Sequence, residues 1–173
     1  MSEEKKTKIN SYLSFKLGNE EFAAHASKVL NILEMTNITV VPKSPEYMKG
    51  VINLRGTVLP VIDTRIKFGM SPTEYTSNTC IIVLDILIDG ESLQVGALVD
   101  GVQAVLEIEK EHIMPAPSIG SKYRSEFIKG VANINENFVM ILDMDAIFSS
   151  DDLSTLVESA SETKNIDEME KVG

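Results

Sequence analysis

An eighteen-residue block occurs twice in this chain, and that duplication restricts the fold more than any other feature. Residues 46–63 read E-Y-M-K-G-V-I-N-L-R-G-T-V-L-P-V-I-D, and residues 126–143 read E-F-I-K-G-V-A-N-I-N-E-N-F-V-M-I-L-D. The copies lie 80 residues apart at both ends, with Glu, Lys, Gly, Val, Asn and Asp identical at matched positions. A second match precedes each copy. Residues 29–42 (V-L-N-I-L-E-M-T-N-I-T-V-V-P) align with residues 102–115 (V-Q-A-V-L-E-I-E-K-E-H-I-M-P) at an offset of 73. Two matched blocks in the same order mean a duplicated unit of strands, so two similar β modules are expected rather than one large sheet.

Within the first block, residues 51–54 and 58–62 are apolar strands around a tight turn at Arg55-Gly56. Glycine there supplies the positive φ that hairpin turns need. Arg55 is the one strong charge inside this apolar segment and falls at the hairpin tip, where it is either solvated or presented to a partner.

The rest of the chain reads as more strands. Residues 12–17 alternate, Gly18-Asn19 turns, and residues 21–24 return; residues 23–29 are compatible with a short helix. Residues 32–41 are rich in β-branched side chains and read as one long strand. Ser44-Pro45-Glu46 has the form of a helix start, giving one turn before Gly50. Residues 67–78 connect the modules. Residues 79–88 form a nearly continuous apolar strand, Asp89-Gly90 turns, residues 93–99 return, Asp100-Gly101 turns again as a hairpin, and residues 102–108 lead away. A loop at 115–123 precedes the second block, whose last strand is 138–142. Ser149 to Asp152 caps a helix over residues 150–161, with an apolar stripe at Leu153, Leu156, Val157 and Ala160. An acidic, disordered tail over residues 162–173 follows. The expected organisation is therefore a body over residues 12–148, made of modules at about 12–66 and 79–148, with strands either kept within each module or exchanged between them.

Composition excludes several function classes. At 173 residues the chain buries roughly 70% of its unfolded surface and needs no staples. The single cysteine, Cys80, opens an apolar run and reads as a small buried hydrophobe. No apolar run approaches the ~20 residues of a membrane span, so a soluble cytoplasmic protein with no membrane insertion is expected. The formal net charge is −10, about half of it in residues 151–173, and no basic patch interleaves with aromatics. Because phosphate contacts dominate nucleic-acid affinity, nucleic acid is not an expected partner.

Catalytic constellations are missing from the sequence. His25 and His112 have no carboxylate or cysteine at ligand spacing. Asp143-x-Asp145 has the form of a metal-binding pair, with Asp63 as its counterpart, but the first copy places Arg65 where the second has Asp145. Residues two apart at a strand end are ordinary turn chemistry. The reading is a non-enzymatic binding module with no cofactor and no metal.

The order Y-L-S-F-K-L-G-N-E-E-F, V-x-x-I, P-x-Y-M-K-G-V-I-N-L-R-G-T-V-L-P-V-I-D, V-D-G-V-x-x-V-L and P-A-P resembles the CheW family of chemotaxis coupling proteins over residues 12–148. That resemblance implies an all-β fold of two five-stranded SH3-like barrels packed around a shared apolar interface. It implies adaptor work in bacterial chemotaxis, linking the cytoplasmic tips of methyl-accepting chemotaxis receptors to the regulatory domain of the histidine autokinase CheA. Arg55 matches the family's N-L-R-G arginine, implicated in receptor coupling. Val29 and Ile32 match V-x-x-I positions on an interaction surface, and Gly96, Val102 and Val105 match positions near the receptor groove. For each apolar position, core packing is the competing reading. Asn31 departs from the family, which usually has Glu there, so the contact at this position is expected to be weaker or rewired. A β-barrel interaction module of another signalling system is the alternative.

Overall fold

The computed structural model of the chain describes residues 9–71, 74–115 and 127–148. The expected helix over 150–161, the acidic tail and most of the 115–123 loop lie outside these residues. Eleven strands are present among them: β1 (Ile9–Leu17), β2 (Glu20–His25), β3 (Val29–Glu34), β4 (Met48–Leu54), β5 (Thr57–Asp63), β6 (Cys80–Ile88), β7 (Glu91–Val99), β8 (Gly101–Glu109), β9 (Ile113–Met114), β10 (Ile128–Ile134) and β11 (Asn137–Leu142). They form two sheets, ordered β8-β1-β2-β11-β10-β9 and β3-β6-β7-β5-β4. The fold is all-β, as the repeat requires, and the first sheet adds the two-residue β9 to the five strands expected.

The duplicated blocks occupy equivalent places. β4 pairs with β5, and β10 with β11, as antiparallel hairpins, the second copy 80 residues after the first. Each hairpin has a bulge at its Lys-Gly pair, where the register skips Lys49 in one copy and Lys129 in the other. The glycines have a steric reason to be there. A Cβ on Gly50, whose φ is 148°, would lie 2.1 Å from the Thr39 carbonyl oxygen; one on Gly130 would lie 2.6 Å from that of Met114. In both sheets a neighbouring segment crosses against the bulge so closely that only glycine fits.

Each sheet curls around a small interior of its own. Ile52, Leu59, Val61, Ile81, Val83 and Leu98 fill the second; Tyr12, Ala23, Ile108, Ala132, Val139 and Ile141 fill the first. Ile52, Leu59 and Val61 answer to Ala132, Val139 and Ile141 at the repeat offset. A larger cluster lies between the barrels and draws on both, including Phe15, Leu17, Phe22, Ile62, Phe68, Leu84, Phe127 and Leu142. Its aromatic chain runs from Phe22 to Phe68 to Phe127 with ring centroids 5.7 Å apart at each step.

The connectivity is reciprocal. The second sheet takes β3, β4 and β5 from the first repeat and the hairpin β6–β7 from the second; the first sheet takes β1–β2 from the first repeat and β8, β10 and β11 from the second. Parallel pairs join the contributions, β5 with β7 and β11 with β2. The backbone crosses from one barrel to the other twice, through the 3₁₀ turn Ala26–Lys28 and at Asp100.

Three local expectations are corrected. The strand expected over 32–41 ends at Glu34, and Thr39 then makes a lone bridge to Val51. The only helical part of 23–29 is Ala26–Lys28, since β2 continues to His25. Ser44-Pro45-Glu46 starts no helix: the Met48 amide donates to the Pro45 carbonyl oxygen at 3.0 Å and closes a single turn from which β4 departs. The helical turn of this region comes later, at Thr64–Lys67, capped by the Asp63 carboxylate.

Candidate functional site

The Arg55 hairpin ends at an open mouth of the second barrel. Arg55 and Gly56 both have positive φ, 53° and 84°, the pair of left-handed residues that matches the twist of a two-residue hairpin. Asn53, identical in the two repeats, fixes the turn by accepting the Gly56 amide on Oδ1 at 2.8 Å. Arg55 is exposed, and among the described residues no carboxylate pairs with it. It lines a concavity of about 280 Å³ with Leu30, Asn31, Leu54, Thr57, Val83 and Gln94. Every strand of the second sheet contributes to that lining, which is how the end of a curled sheet looks from outside.

The rim on the β3 side carries the other residues singled out in this region. Val29 is half-buried and packs against the shared core, while Leu30 and Ile32 are 49% and 43% exposed. Asn31 is exposed, and its Oδ1 accepts the Ile32 amide at 2.8 Å. The side chain at this position is thus neutral and turned onto its own backbone. Arg55 and Asn31 therefore belong to one concavity. Leu30, Leu54, Thr57 and Gln94 complete it, and nothing in their local sequence marks them.

Val102 and Val105 lie on the other barrel, on β8. They are the counterparts of Val29 and Ile32 at the 73-residue offset, and the register confirms this match: the β3–β6 pairing skips Leu30, and the β8–β1 pairing skips Gln103. Val105 is 65% exposed. Val102 lines a separate concavity of about 400 Å³ with Lys16, Gly18, Asn78, Asp100, Gly101 and Gln103. Gly96 belongs to neither opening. It is buried inside the second barrel, where a Cβ would come within 2.8 Å of Ile81 and 3.3 Å of Leu59, so what it visibly supplies is room for packing.

The acidic residues weighed as metal ligands are structural. Asp63 is buried and caps Thr64–Lys67, accepting the Arg65 amide at 3.0 Å. Asp143 does the same for Met144–Ile147, accepting the Ala146 amide at 3.2 Å. Asp145 binds Lys28 through both oxygens, at 3.0 and 2.8 Å. Among the described residues no three His, Cys, Asp or Glu side chains cluster as metal ligands would. Asp100-Gly101 is not a hairpin turn: β8 pairs with β1 rather than with β7, so this dipeptide is a crossing between barrels. Cys80 is half-buried, and burial pushes its thiol pKa up, partly offset by a hydrogen bond from the Val102 backbone.

Comparison with known proteins agrees with this geometry. Residues 11–152 match the family model described as CheW-like domain. The chain is 35% identical over 152 residues to the chemotaxis protein CheW of Klebsiella aerogenes, covering 88% of this chain and 89% of that one. It is 37% identical over 137 residues to the probable chemotaxis protein CheW of Rhizobium etli, covering 79% and 86%. The crystal structure of the scaffolding protein TtCheW from Thermoanaerobacter tengcongensis superposes with a TM-score of 0.74 at 28% identity, covering 83% of this chain and 90% of that one.

Proposed function

The chain belongs to the CheW family of chemotaxis coupling scaffolds, and we propose that it joins methyl-accepting chemotaxis receptors to the regulatory domain of the histidine kinase CheA. It does so in the cytoplasm, without catalysis, as one unit over residues 12–148. No helix among the described residues is long and apolar enough to cross a membrane. The observation that carries the receptor contact is Arg55: an exposed cation with no ion-pair partner among the described residues, held by a fixed turn at the mouth of a barrel and sharing its concavity with the exposed Leu30. Apolar side chains beside one uncompensated cation fit an amphipathic helical tip with apolar positions and an acid at the edge. Val29, Asn31 and Ile32 form the adjoining rim, and Val102 and Val105 offer a second contact on the other barrel.

Arg55→Glu separates this reading from a merely solvated charge. The variant is expected to melt within a degree or two of the wild type, since exposed charges contribute about 0–1 kcal/mol to folding. Its binding to receptor-tip fragments in co-sedimentation is expected to fall at least tenfold, because like charges facing each other at an interface cost several kcal/mol. Activation of the kinase in a reconstituted receptor–kinase mixture falls with it. Wild-type binding and activation by the folded variant would remove Arg55 from the contact.

A further inference from the structure

The mismatch between Asp63-x-Arg65 and Asp143-x-Asp145 marks a pair of clasps. Arg65 Nη1 lies 3.1 Å from Asp100 Oδ1, and the Gly18 amide donates to Asp100 Oδ2 at 2.6 Å. Asp100 sits at the crossing from the second barrel to the first, Arg65 on the helical turn that follows β5 of the second barrel, and Gly18 in the β1–β2 turn of the first. At the other crossing, Lys28 Nζ donates to Asp145 at 2.8 Å, and Asp145 Oδ1 accepts the Leu87 amide at 2.8 Å. Lys28 ends the crossing from the first barrel to the second, Asp145 lies on the helical turn that ends the first barrel, and Leu87 belongs to the β6–β7 hairpin of the second.

Each clasp thus ties the crossing, the helical turn after the repeated hairpin of one barrel and a hairpin of the other. Arg65 and Asp145 are the same position of the repeat, and Lys28 and Asp100 both fall within two residues before the matched Val29 and Val102. The charges are inverted between the copies. In one the crossing is anionic and the helical turn cationic; in the other the reverse holds. An inverted pair preserves attraction at each crossing, whereas anions at both positions of one crossing would repel.

We propose that these two clasps are positioning devices that set the angle between the barrels, and thereby couple the partner bound at one barrel to the partner bound at the other. The inference rests on the adaptor reading for its consequence but not for its geometry. The shared apolar cluster supplies cohesion between the barrels, but apolar contact is non-directional and tolerates small rotations. Hydrogen bonds to charged groups are directional, and one stands at each covalent crossing. Arg65 is almost completely buried, while Lys28 and Asp145 are about one-third exposed, so the second clasp is the one accessible to disruption.

The test uses the full chain with Cys80→Ser and spin labels on cysteines replacing the exposed Val40 and Phe138, one on each barrel. Asp100→Asn and Asp145→Asn, singly and together, are compared with Asp85→Asn as a control outside both clasps. The double variant is expected to give a broader inter-label distance distribution than wild type, and each single variant an intermediate one. Affinities of the Asp145→Asn protein for isolated receptor-tip fragments and for the isolated kinase should stay within about twofold. Kinase activation in the mixture of all three should fall about threefold to tenfold. Unchanged distributions in the clasp variants, equal broadening in Asp85→Asn, or broadening with undiminished activation would each overturn the proposal. If the double variant does not fold, the Asp145→Asn protein, whose clasp is solvent-accessible, decides on the same readouts. Should the wild type bind neither partner, the adaptor reading falls, and the distances, which need no partner, still decide whether the clasps set the angle.

Discussion

The identical Lys-Gly pairs of the two repeats show how a single residue records a tertiary contact. Gly50 and Gly130 are kept not by a turn but by a chain segment lying against each bulge. Three glycines with different surroundings therefore predict an order of stability. Gly50→Ala drives a Cβ to 2.1 Å from backbone and keeps a φ of 148°, so it should cost about 3 kcal/mol or more. Gly96→Ala meets the Cγ2 methyl of buried Ile81 at 2.8 Å rather than backbone at 2.1 Å, and should cost less. Gly56→Ala meets nothing within 4 Å and bears only left-handed strain, about 1–2 kcal/mol. Urea unfolding of the three variants checks the order. A Gly56→Ala protein as damaged as Gly50→Ala would show that the bulge contact is not what selects glycine.

At the scale of elements, the hairpins were legible because their turns are local chemistry. Arg55-Gly56 and Asp89-Gly90 both have the left-handed pair their dipeptides announce. The second copy departs from that rule: Asn135 and Glu136 both have positive φ, 52° and 69°, with no glycine. Glu136→Gly should therefore stabilise the protein by roughly 0.5–1 kcal/mol, the left-handed strain removed less the added freedom of the unfolded chain. A fall in melting temperature for this variant would mean that the Glu136 side chain makes a contact that outweighs the strain. What the sequence hid were choices made by distant partners. Asp100-Gly101 carries the same residues as Asp89-Gly90, yet β8 joins β1, because only the packed molecule determines which sheet a departing strand meets. The β-branched run at 32–41 likewise has one propensity throughout, but Thr39 is claimed by Val51 and separated from β3.

For the molecule as a whole, the repeat foretold two similar barrels and a resemblance foretold their shared interface, while the division of the candidate site between them was not legible. Val29 with Val102, and Ile32 with Val105, are one pair of positions seen twice. Only the sheet order shows that they open on different barrels, and only burial shows Gly96 to be interior. The same exchange of strands has a thermodynamic consequence. The second sheet is built wholly from residues 29–99 and has the connectivity of a complete barrel. Its private interior is six buried side chains, however, whereas the cluster between the barrels includes Ile62, Ile82, Leu84, Ile86, Val95 and Ala97 from this segment. Each large apolar side chain fully buried contributes ~1.5–3 kcal/mol, so a barrel separated from its neighbour forfeits a sum comparable to the whole 5–15 kcal/mol stability of a typical domain. Residues 29–99 alone are therefore expected to lack a cooperative melt, and the intact chain to unfold in one transition. Calorimetry would give equal calorimetric and van't Hoff enthalpies. Two resolved transitions, or a folded 29–99 fragment, would mean that the interface is dispensable and that the barrels are stable modules joined only at their crossings.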